Sequence, residues 1–239
     1  MLAEILLIGS GYFFGSLPFS VALARLRGLD TSQKEDLHIA LWHQIGKKAA
    51  ILAGAVDFFK GVIIVLIGFG FGISIVAVAF SGVATVAGQM WPPPYGGHGE
   101  KGNAPGVAVV MTLALVYGVY WALLSLIFFA TGAALKYYYE RRSTASCQTR
   151  DDEAKSYAPG HPLALSLPLG MILGFMTAPV ASWYSKGSIS IVQALLALLV
   201  IIIVRRLTAD LKADLKKGKV TMRVLIDRFL FDQPFEAWK

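Results

Sequence analysis

The chain alternates long apolar blocks with short polar breaks, and two of the blocks, residues 61–99 and 103–135, contain no Asp, Glu, Lys or Arg. Blocks of that length could not both stay in water, so lipid is the solvent for most of the chain. At about 20 apolar residues per helical crossing, the pattern predicts spans near residues 3–24, 49–70, 73–90, 161–182 and 188–204. The block at 103–135 has 33 residues, about 50 Å as one helix, against a hydrocarbon core of about 30 Å. It is too long for one straight crossing, and divides into a short or broken segment to 116 and a span over 117–136. The pattern therefore describes an all-α polytopic integral membrane protein of about seven transmembrane helices, one of them short or broken. Residues 1–204 form its transmembrane domain, and 205–239 a basic amphipathic tail.

Composition agrees: of 239 residues, 56% are hydrophobic and 15% charged, against about 25% charged in soluble domains. The excess of 22 Lys and Arg over 15 Asp and Glu would suggest nucleic acid in a soluble protein. Here no basic block with interleaved aromatics is present, and topology explains the charge. With the N-terminus outside, seven spans put 5, 1, 5 and 9 basic residues into the segments 25–48, 91–103, 136–155 and 205–239, so 20 of 22 face the cytoplasm. Six spans would break that asymmetry, so the positive-inside rule favours seven and places the C-terminus inside. The sequence Ala22-Leu23-Ala24 resembles a signal-peptidase site, but a signal peptide starts with positive charge, and the early charged side chain here is Glu4. A lone cysteine, Cys147, permits no internal disulfide.

Chemistry concentrates in a few places. The stretch Gly96-Gly97-His98-Gly99-Glu100-Lys101-Gly102 follows the third span. Glycines let backbone amides turn toward an anion and a lysine adds charge, which suits a phosphate, although a flexible turn would use the same residues. No Ser or Thr follows the Lys-Gly pair, so it is not a nucleotide P-loop. Asp57 and Lys60 share a helix face about 13 Å into the second span. At that depth they must pair, line a wet cavity or shift their pKa, and pairing with each other is the expectation. Gly15-Ser16-Leu17-Pro18 places a proline in the first span, while Gly11 and Gly15 make a Gly-x-x-x-Gly face for close packing. The histidines His38, His43, His98 and His161 lack the spacing of a helical metal site, so no metal is expected. Leu207, Leu211 and Leu215 line one face of a basic helix suited to lipid headgroups, and open to a second role as a cover for a site at the glycine loop.

In order along the chain, Gly15-Ser16-Leu17-Pro18, Gly46-Lys47-Lys48, Asp57 with Lys60-Gly61, Gly88 with Pro92 leading into Gly99-x-Lys101-Gly102, and Leu215-Lys216-Lys217-Gly218 resemble the bacterial acyl-phosphate:glycerol-3-phosphate acyltransferases, the PlsY family. The resemblance implies an enzyme of the bacterial plasma membrane that moves an acyl group from acyl phosphate to glycerol 3-phosphate, giving lysophosphatidic acid. It implies that Gly99, Lys101 and Gly102 bind the substrate phosphate, and it implies no cofactor or nucleotide.

Several family positions differ. The family loop Gly-Ser-Gly-Asn-x-Gly-Ala-Thr-Asn after the first span has no glycine here in residues 32–41. His43 stands where the family has arginine, Gln89 replaces the histidine of Gly-His-x-Phe-Pro, and the family's His-Arg-x-Asn has no counterpart in the tail. Three functions follow. One is an acyltransferase with a rebuilt site, in which His43 and His98 are catalytic candidates and Lys47 and Arg206 support Lys101. Another is a noncatalytic protein binding a phosphate-headed lipid or a partner enzyme. The last is a small transporter whose path Asp57 and Lys60 would line.

Overall fold

The computed structural model describes residues 1–17, 19–28, 41, 45–93, 99–146, 162–208 and 221–231. Among these, every regular element is helical. Helices α1 (Leu2–Gly15) and α2 (Phe19–Leu26) make up the first apolar segment, followed by α3 (Lys47–Gly70), α4 (Ile75–Met90) and α5 (Asn103–Val116). A 3-10 turn (Tyr120–Leu124) enters α6 (Ser125–Ser146), then come α7 (Pro162–Tyr184), α8 (Ile189–Thr208) and a C-terminal α9 (Met222–Phe231). Among the described residues, five stretches are long and apolar enough to cross a membrane: Leu2–Leu26, Lys48–Gly70, Tyr120–Tyr138, Leu167–Tyr184 and Ile189–Thr208.

The span expected over 73–90 is shorter, and the segment expected to be short or broken to 116 is the short helix α5. Helices α4 and α5 have 16 and 14 residues, about 24 and 21 Å at 1.5 Å per residue. Both lie in the middle of the bundle: α4 packs on α1, α3, α5 and α8, while α5 packs chiefly on α3. Val78, Ala79, Val86 and Met90 of α4 and Val109, Val110 and Leu113 of α5 are fully buried. A helix sheathed by protein can end below the lipid surface, because neighbours satisfy its terminal groups. The carbonyl of Trp91, just past α4, accepts the Tyr12 hydroxyl at 2.7 Å in this way.

The expected Gly-x-x-x-Gly face of α1 lies against α4. A Cβ on Gly11 would stand 2.6 Å from the Ser81 carbonyl oxygen, and one on Gly15 1.9 Å from that of Thr85. In lipid, helices associate through such close backbone contact rather than through a hydrophobic drive. The hydroxyls at this seam serve themselves: Ser81 donates to the Val78 carbonyl at 2.7 Å and Thr85 to that of Ser81 at 2.9 Å. Exposed Tyr120, Trp121, Trp183 and Tyr184 mark one end of the bundle, and Tyr137 and Tyr138 the other, the aromatic bands of a membrane protein.

Three boundaries differ from expectation. The first segment is interrupted between Gly15 and Phe19, around the proline at position 18. Helix α6 runs to Ser146 instead of ending at 136, since residues 137–146 contain neither Gly nor Pro to stop it. The division placed at 204 falls inside α8, which continues to Thr208, and part of the expected tail returns as α9 to pack on α7 and α8. Residues 209–220, with Leu211 and Leu215, lie outside the described residues.

Candidate functional site

Asp57 and Lys60 are 1% and 4% exposed, and the ammonium donates to Asp57 Oδ1 at 2.7 Å. Their remaining bonds reach the interruption in the first segment. Ser20 of α2 donates its hydroxyl to Asp57 Oδ2 at 2.8 Å, and Lys60 Nζ donates to the Leu17 carbonyl at 2.7 Å. Leu17 stands where the first helix has stopped, and its carbonyl also accepts the Phe19 amide at 3.0 Å. The pair therefore holds a broken helix in place.

The glycine loop folds back over the end of α4. Gly99 donates its amide to the Met90 carbonyl at 3.2 Å, and a Cβ there would lie 2.0 Å from the Gln89 carbonyl oxygen. Gly102 has φ +70°, the left-handed region, and directly precedes α5. Close approach demands the first glycine and backbone handedness the second. Gly102, the residue before α5, has no side chain with which to cap it, and the first-turn amides present the positive end of the helix dipole next to Lys101. Gln89 donates through Nε2 to Glu100 Oε2 at 3.3 Å, and Arg205 at the end of α8 donates through Nη2 to the Gly99 carbonyl at 2.6 Å. The loop is thus clamped between α4 and α8, with Glu100 and Lys101 half-buried.

The structure brings Gly99, Lys101 and Gly102 together as one turn, and Asp57 with Lys60 as one pair. Arg206, expected near Lys101, is 4% exposed and donates instead to the carbonyls of Phe229 and Pro168, both at 3.0 Å. One residue along a helix is a rotation of about 100°, and it is Arg205 that reaches the loop. Lys47 begins α3, its side chain outside the described residues, as are His43 and His98 entirely. Arg205 is not among the site residues expected from the sequence, and Gln89 is expected only as a replacement for a family histidine.

This is an integral membrane helical bundle that carries a glycine–lysine loop at one end. The sequence model of the glycerol-3-phosphate acyltransferase family matches residues 5–217, and the chain belongs to that family. The glycerol-3-phosphate acyltransferase of Aquifex aeolicus is 32% identical over 114 residues, 46% of this chain and 59% of that protein. The glycerol-3-phosphate acyltransferase 4 of Dehalococcoides mccartyi is 25% identical over 238 residues, 94% of this chain and 88% of that protein. The chain spans less than two thirds of the length of curated relatives such as the Aquifex protein and the glycerol-3-phosphate acyltransferase of Roseiflexus, 59% and 57%. The crystal structure of PlsY, an integral membrane glycerol 3-phosphate acyltransferase, in its glycerol 3-phosphate form superposes with a TM-score of 0.61 at 22% identity, covering 92% of this chain and 94% of that one. That likeness establishes the fold.

Proposed function

We propose that this protein transfers an acyl group from acyl phosphate to the first hydroxyl of glycerol 3-phosphate, giving lysophosphatidic acid. The observation that carries the proposal is the family match over residues 5–217, which includes the turn Gly99–Gly102. Lys101 and the first-turn amides of α5 supply positive potential for a phosphate. The bound alcohol attacks the acyl carbon of the mixed anhydride, a C–O bond forms, the acyl carbon's bond to the phosphate oxygen breaks, and the hydroxyl proton is taken up by the departing phosphate. Acyl phosphate is already activated, so holding the two reactants together supplies much of the rate. The basic excess favours the cytoplasmic side of a bacterial plasma membrane for this end of the bundle, with the N-terminus outside.

The test is lysophosphatidic acid formation by purified protein in lipid, wild type against Lys101→Ala. Loss of one charge-assisted phosphate contact lowers kcat/KM about tenfold to a hundredfold. No product from wild type sinks the enzymatic proposal. Equal rates from both proteins sink the role of Lys101. The missing glycines of residues 32–41 and the missing His-Arg-x-Asn favour a second reading, a noncatalytic member that binds a phosphate-headed lipid or a partner enzyme. It predicts phosphate binding that depends on Lys101 without turnover.

A further inference from the structure

Two buried polar atoms at the glycine loop have no hydrogen-bond partner among the described residues: Gln89 Oε1 and Arg205 Nε. Gln89 is 7% exposed. Its bond to Glu100 identifies which end of the carboxamide is nitrogen, since a carboxylate needs a donor. The other end can only accept, and Arg205 Nε can only donate. Both side chains are held by adjacent residues of one segment: Arg205 bonds the carbonyl of Gly99, and Gln89 the carboxylate of Glu100. Ser81, Thr85, Thr112 and Ser125 each donate to a carbonyl of the preceding turn, while Ser182 Oγ in α7 is a further buried atom without a partner among the described residues. What sets the glycine loop apart is that an open acceptor and an open donor belong to side chains bonded to adjacent residues of one segment. A buried acceptor on α4 and a buried donor on α8, both side chains bonded to one half-buried segment, call for a ligand that offers the complement of both.

We infer that Gln89 and Arg205 form a subsite for a small phosphorylated alcohol, in which a ligand hydroxyl donates to Gln89 Oε1 and an anionic oxygen accepts from Arg205 Nε. This deepens the glycerol 3-phosphate reading and rests on it: Lys101 supplies charge for the phosphate, and Gln89 selects for the hydroxyl. A site built around a buried acceptor discriminates against an analogue that lacks the hydroxyl, because binding it leaves the acceptor dry.

The experiment is calorimetric titration of the full chain in nanodiscs with glycerol 3-phosphate and with ethyl phosphate, which has the phosphate and no hydroxyl on carbon. Wild type binds glycerol 3-phosphate about five- to tenfold more tightly, the value of one hydrogen bond. Gln89→Met abolishes that preference and keeps ethyl phosphate binding, while Arg205→Gln weakens both ligands alike. Should Gln89→Met lack a melting transition, Gln89→Asn, whose shorter side chain withdraws the oxygen, is judged by the same criterion. A wild type without the preference, or a Gln89 variant that retains it, overturns the subsite and leaves the glycerol 3-phosphate reading standing. A wild type that binds neither ligand overturns that reading, and the subsite with it.

Discussion

Asp57 and Lys60 in the middle of α3 answer each other, and their other bonds go to Ser20 and to the Leu17 carbonyl. At the glycine loop, Gln89 and Arg205 each make one bond to the protein and leave a second polar atom open. Both regions place polar groups where water is scarce, and the cost of burying them is met in different ways. In the first, protein groups meet it completely, which ties a broken helix to its neighbour. In the second, part of the demand is left for something that binds. Substitutions in the first region should therefore cost stability and spare substrate affinity, with the reverse in the second.

The largest effect tests the first half of that contrast. Lys60→Met leaves the Asp57 carboxylate buried beside a carbonyl, with Ser20 as its donor, and breaking a buried pair costs about 3 to 5 kcal/mol. Unfolding in detergent should show a loss of that size, and Asp57→Leu combined with Lys60→Met should recover most of it. A Lys60→Met protein of unchanged stability but raised KM would reverse the assignment, and would revive the transport reading of this pair.

Next in size is the helix seam. Gly15→Ala brings a methyl to 1.9 Å from the Thr85 carbonyl oxygen, so α1 must move off α4 at a cost of about 1 to 3 kcal/mol. Gly9 has nothing within 4 Å of the corresponding position, and Gly9→Ala should stay within about 0.5 kcal/mol of wild type. Thermal melting of the two variants in one detergent separates packing from helix propensity, because both make the same chemical change.

The apolar blocks made most of the fold legible: α3, α4, α5, α7 and α8 all begin within two residues of the expected positions. The break in the first segment was announced by proline, and the close seam by Gly11 and Gly15. The start of α6 was not legible, since the 3-10 turn at Tyr120–Leu124 follows from the positive φ of Gly118, which many glycines never adopt. At the site, the sequence identified the turn and the ion pair through residue type and spacing. It could not choose between Arg205 and Arg206, because adjacent positions face different neighbours and their direction depends on how α8 is rotated in the bundle. Nor could it show Gln89 as open, which depends on what Glu100 and α8 bring to it.

A smaller stability effect than that of Gly15→Ala belongs to Gly102, where the contrast between the regions is sharpest. Its φ of +70° costs a residue with a side chain about 1 to 2 kcal/mol locally, and a Cβ would meet Met90 Cε at 2.8 Å and Val86 Cγ1 at 2.9 Å. The tip of Met90 can move aside, so strain in the backbone dominates, and Gly102→Asn should cost less than Gly102→Ala because asparagine tolerates this conformation. In either variant the loop, which does not hold the bundle together, takes up the strain. Global melting should therefore shift by less than for Gly15→Ala. The same strain displaces Lys101 and the start of α5, where the phosphate is proposed to bind, and KM for glycerol 3-phosphate should rise several-fold, more for Ala than for Asn. If Gly102→Ala instead melts as early as Gly15→Ala with KM unchanged, the loop is a structural joint like the Asp57–Lys60 pair, and the distinction between the two regions fails.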